Sequence, residues 1–162
     1  MPLIFAHDFA ILAPLVSVLC VSFAFHVIAG MKKNGERTNY FIVLIAAVVM
    51  GTGLWPLHYL SVLLLPADMI QMYDISLVIL SLFVLIIASY TSLAAVTFRL
   101  PDWFRCFVAA VVMGMGISSS HFVGIAANLE VNIVYNQTVL TLAILFALAA
   151  VYLAFKIMLG HR

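Results

Sequence analysis

His58 and His121 are the residues whose type, spacing and setting could do chemistry in this chain. They stand 63 positions apart (121 − 58), each followed by an aromatic, in AAVVMGTGLWPLHYL (46–60) and AAVVMGMGISSSHFV (109–123). Imidazole suits Cu, Zn, Fe and haem iron as a ligand. Met50 and Met113 each precede their histidine by eight residues, and thioether sulfur favours Cu(I). On one helix those eight residues amount to about 12 Å of axial rise, so a single helix cannot give both its Met and its His to one ion. It could line one channel with both. The plainer reading makes each histidine an interhelical hydrogen-bond donor and each methionine a gap filler. Ionisable groups inside a membrane span are costly and mark sites by default, and two at equivalent repeat positions favour a site. His26 has no counterpart and His161 is terminal, so neither is assigned a role.

The elements that position these residues follow from composition. Of 162 residues, 67% are hydrophobic and 8% charged, with a mean hydropathy of +1.26. Such a chain cannot cover a water-soluble core with polar surface, and its continuous apolar runs are long enough to cross a bilayer as helices. The expected fold is therefore all-α, an integral membrane helical bundle in a lipid bilayer. Polar punctuation at MKKNGERTN, PADMIQMYD, RLPD and EVNIVYN divides it into five transmembrane helices near 8–30, 39–65, 74–98, 103–129 and 136–159. The N-terminus lacks the positive region of a cleaved signal peptide. Cys20 and Cys106 provide no disulfide framework and read as small packing residues.

Charge sets the expected orientation. Lys32, Lys33, Arg37, Arg99, Arg105, Lys156 and Arg162, all seven basic residues, fall on one side of this plan, whereas Asp8, Asp68, Asp74 and Glu130 lie on the other. The positive-inside rule then places the N-terminus outside and the C-terminus in the cytoplasm. His58 and His121 come late in two outward-running spans, at similar depth.

A repeated helix pair underlies the plan, with units near 7–72 and 73–134 and a half unit at 135–159 in a single 162-residue domain. His7-Asp8, Tyr73-Asp74 and Tyr135-Asn136 begin spans one, three and five, and the Asp and Asn are expected N-caps. Pro56 lacks an N–H and should kink span two just below His58. Ser118, Ser119 and Ser120 should disturb span four at the same level. Gly51, Gly53, Gly114 and Gly116 allow either close helix approach or room for a ligand.

MGTGLWPLHYL, MGMGISSSHFV and the following YD and YN resemble the MHYT domain family of bacterial membrane sensors, over essentially the whole chain. The resemblance implies a sensory module joined to a cytoplasmic signalling output. It also implies a bound metal, with copper the family's candidate, that senses oxygen, carbon monoxide or nitric oxide. By position the ligands would be His58, His121, Met50 and Met113. Family domains have seven spans and three motifs, against five and two here, which leaves a truncated form, a short member or a homo-oligomer as alternatives. Leu57 and Ser120 replace the methionine that usually precedes each histidine, and Val62 and Ile125 replace another four residues later. This loss of sulfur favours a histidine-centred site over a copper-specific one.

Two other functions fit the residues. His58 and His121 could be axial ligands to a haem in a membrane redox protein, or the Met/His faces could line a small transporter or channel. No nucleophile–base pair, carboxylate pair or phosphate-binding loop points to an enzyme. No basic patch points to nucleic acid.

Overall fold

A computed structural model describes residues 2–33, 38–57, 73–129 and 136–160. Five helices occupy these residues: α1 (Pro2–Lys33), α2 (Tyr40–Leu54), α3 (Ile75–Ala95), α4 (Asp102–Ala126) and α5 (Gln137–Gly160). The helical membrane architecture expected from composition is therefore the observed one. Stretches of α1 (Leu12–Met31) and the whole of α3, α4 and α5 are long and apolar enough to cross a membrane. For α2, the expected span 39–65 continues past the described residues.

Local chemistry explains the helix starts. Asp74 Oδ1 accepts from Ser76 N at 2.8 Å and Asn39 Oδ1 from Phe41 N at 3.0 Å. Asn136 Oδ1 accepts from Thr138 N at 3.0 Å and Val139 N at 3.3 Å. Each satisfies an N–H that has no partner within its own helix. Asp8 differs from the expectation: α1 begins at Pro2, so Asp8 lies inside the helix rather than at its cap. Proline fits a first turn because the N–H it lacks would have had no intrahelical partner, and this starts α1 early.

The helices pack in chain order, α1 on α2, α2 on α3, α3 on α4 and α4 on α5, while α1 meets α5 over a short stretch only. That closure includes Phe25 and Phe155, whose rings lie 5.2 Å apart. Ala46, Ala47, Met50, Leu85, Leu93, Ala109 and Met113 form the centre of the buried cluster. Large apolar side chains elsewhere face outward, including Phe146 at 77% exposure; lipid is the solvent that makes such a surface stable. Thr52, Thr91 and Thr141 donate to carbonyls four residues back in their own helices, which keeps these exposed hydroxyls satisfied without water. Cys20 and Cys106 are free thiols.

The bundle has chemically distinct ends. At one end, Tyr73 and Asp74 meet Asn128: Asp74 N donates to Ala127 O at 2.8 Å, and Asn128 Nδ2 to Tyr73 Oη at 3.2 Å. At the other, buried Arg105 pairs with Asp102 and donates from Nη1 to Val96 O at 3.2 Å and Phe98 O at 3.3 Å. Both carbonyls lie just past the end of α3, where a cation also complements the helix dipole.

Candidate sensory site

The glycines of the two motifs settle one alternative. A Cβ on Gly51 would come within 2.9 Å of Ile86 on α3, and one on Gly53 would collide with Cys20 on α1. In the second motif a Cβ on Gly114 would meet Leu148 on α5, and one on Gly116 would collide with Ala88 on α3. The first glycine of each motif thus faces the following helix and the second faces the preceding one. Both motif helices use the pair to approach both neighbours closely, so these glycines serve packing rather than ligand space.

The methionines lie in the core. Met50 is 3% exposed and Met113 fully buried. The Ser89 hydroxyl on α3 donates to Met113 Sδ at 3.9 Å. His121, eight residues along α4, has quite different surroundings. It is exposed at the end of the bundle that carries Asn128 and Asn136, with its ring edge-on to Phe122 at 6.1 Å. It lines a groove of about 440 Å³ between α4 and α5, with Ile117, Ser118, Asn136, Leu140 and Ile144 among its neighbours. The groove walls are apolar except for this imidazole, one hydroxyl and one carboxamide.

The helices reach the histidine level differently. Helix α2 ends at Leu54. Trp55 keeps helical dihedrals and donates its N–H to Gly51 O at 3.1 Å, after which Pro56 has no N–H to offer Thr52. Helix α4 instead runs unbroken from Asp102 to Ala126, so the three serines do not disturb it, contrary to expectation. Serine keeps its backbone N–H, and Ser120 sends its hydroxyl across to Ser81 O at 2.9 Å.

His58 lies outside the described residues. Among the described residues no three His, Cys, Asp or Glu side chains gather where one metal ion could bind. The thioether of Met113 is spent in the core, about 12 Å along the axis from His121. His121 and Met113 therefore do not share one site.

Sequence reasoning missed Ser17, Ser81 and Trp55. Ser17 Oγ bonds both Ala13 O at 2.9 Å and Gly53 O at 2.6 Å, and Trp55 Nε1 donates to Ser81 Oγ at 3.2 Å. Isolated serines in apolar spans are the available signal, because buried hydroxyls bond across helices. Ser17 and Ser81 also stand 64 positions apart (81 − 17), nearly the repeat offset.

A helical membrane bundle with a motif repeated on two of its helices defines an internally duplicated membrane domain. Residues 51–110 and 114–162 match the family model MHYT, described as the bacterial signalling protein N terminal repeat, and the chain belongs to this family. The matched segments start 63 residues apart (114 − 51), the offset that separates the histidines. Over 137 residues the chain is 33% identical to MucR of Pseudomonas aeruginosa, a bifunctional diguanylate cyclase/cyclic di-GMP phosphodiesterase, covering 82% of this chain and 20% of MucR. Over 111 residues it is 31% identical to the cyclic di-GMP phosphodiesterase NbdA of the same organism, covering 68% of this chain and 14% of NbdA. With the signaling protein YkoW of Bacillus subtilis the identity is 27% over 111 residues, again 68% of this chain and 14% of the relative. The chain thus spans only 14–20% of the length of these relatives. No solved structure gives a significant match.

Proposed function

We propose that this chain is the sensory input of a cyclic di-GMP signalling system in the bacterial cytoplasmic membrane, with a metal held by His58 and His121. The observation that carries this reading is the position of His121, exposed in a mainly apolar groove between α4 and α5. Oxygen, carbon monoxide and nitric oxide partition into lipid, and such a groove admits them from the bilayer without a water-filled path. The metal, copper being the candidate, would supply an open coordination position for the gas. His121 and its partner histidine would bind through neutral imidazole nitrogens. A change in the groove would alter how α5 lies on α4, and α5 leads toward the basic end of the bundle. Relatives named for making or degrading cyclic di-GMP suggest the output that receives the change.

Metal analysis and an absorption spectrum of the purified chain test this. Bound metal should fall in both His58→Ala and His121→Ala, and should persist in Met113→Leu, whose sulfur is buried against Ser89. Unchanged metal content in both histidine variants would remove the site.

A further inference from the structure

Among the described residues the two motif helices pack on α3 rather than on each other. Besides the Ser89–Met113 contact deeper in the core, a hydrogen bond from each motif reaches one residue of α3. Trp55 of the first motif donates its indole N–H to the Ser81 hydroxyl, and Ser120 of the second donates its hydroxyl to the Ser81 carbonyl. The Ser81 hydroxyl passes its own proton to Val78 O at 2.6 Å, so it is donor and acceptor at once. Ser81 is fully buried. Trp55 stands three residues before His58, and Ser120 immediately before His121.

We infer that Ser81 is the positioning residue that fixes the Trp55 end of α2 and the Ser120 level of α4 relative to each other. It works through Trp55 and Ser120. The two sides of the junction are mechanically different. On the α4 side the anchor is a backbone carbonyl on a regular helix. On the α2 side it is a side-chain bond to a tryptophan at the helix end, next to Pro56, where the backbone ladder is already interrupted. Buried interhelical hydrogen bonds hold a geometry well in a membrane, since no water competes for the partners. The α2 end should thus take its position from Ser81 more than from its own backbone. Ser17, bonded to Gly53 O, steadies the same end from α1.

In its functional consequence this inference rests on the histidine site proposed above; in its structural content it does not. The test therefore separates them. Spin labels on Thr52→Cys and Ser119→Cys, both exposed positions, report the α2–α4 distance in a Cys20→Ala, Cys106→Ala background without metal. Ser81→Ala and Trp55→Phe should each broaden the distance distribution. The two together should broaden it no further, because they break one bond. Ser120→Ala should add its effect to that of Ser81→Ala, which leaves the carbonyl in place. In a Trp103→Phe background, ultraviolet resonance Raman should show the Trp55 indole N–H losing its hydrogen bond in Ser81→Ala, a signature that general loosening would not give. A distance distribution and an indole band both unchanged by Ser81→Ala would overturn the junction. With the histidine site in place, Ser81→Ala should also lower metal affinity about tenfold or more, as loss of an orienting partner does. Absence of metal from the parent chain would count against the site and leave the distance result standing.

Discussion

At the scale of single residues, small side chains control this molecule as much as polar ones. Gly116 is a place where only hydrogen fits, because Ala88 of α3 occupies the space a methyl would need. Gly30 is the opposite case, with nothing within 4 Å of an added Cβ. Gly116→Ala should therefore cost about 1–3 kcal/mol through overpacking. Gly30→Ala should be neutral or stabilising by up to about 1 kcal/mol, because alanine loses less backbone entropy in a helix. Melting temperatures in detergent would show both. Adding Ala88→Gly to Gly116→Ala should recover part of the loss, since it removes the methyl that collides; a double variant no better than the single would mean the contact is not the cause.

At the scale of elements, α5 is the least anchored helix. Its buried residues are Phe155, Met158 and Leu159, all near the basic end, while among the described residues its remaining length rests mainly on α4. Phe155→Ala should free the α1–α5 closure, at less than the about 3–5 kcal/mol typical of a water-soluble core, because lipid rather than water fills the gap. Hydrogen exchange should rise along the last turns of α5 and stay unchanged in α3; equal increases in both would show global destabilisation instead. Much of the element plan was legible in the residues. Asp74 and Asn136 announce helix starts because a short acceptor before an apolar run has few other uses, and Pro56 announces the end of regular α2. Other features were not legible, for physical reasons. Asp8 looks like a cap, yet whether a helix begins earlier depends on Pro2 and its surroundings. Ser118–Ser120 look like a disruption, yet whether a serine disturbs its helix depends on where its hydroxyl finds a partner. That partner, Ser81, is 39 residues away from Ser120. The same holds for the site: His121 could be picked out by type and repeat, but its groove exists only once α5 lies beside α4.

At the scale of the whole molecule, the two chemically distinct ends carry the remaining expectation, the direction of insertion. Arg105 and Lys156 sit at one end, the latter lining a small cavity with Asp102, Trp103 and Tyr152. Asp74, Asn128 and Asn136 mark the other. Lys and Arg hold the cytoplasmic side during insertion, whereas Asp and Glu contribute little, so the sidedness depends on the basic residues alone. Residues 66–74, a connection expected from the sequence, contain none of the seven, whereas residues 31–39 and 99–105 contain five. A reporter inserted in the 66–74 loop should therefore be periplasmic, and one fused after Arg162 cytoplasmic. The bias is shared among three places along the chain, so neutralising Lys32, Lys33 and Arg37 alone should weaken the orientation rather than invert it. Alkaline phosphatase activity at 66–74 together with fluorescence of a green fluorescent protein at the C-terminus is the expected pair of results. The reverse pair would put His121 on the cytoplasmic side and make the groove proposed for the gas open toward the inner leaflet.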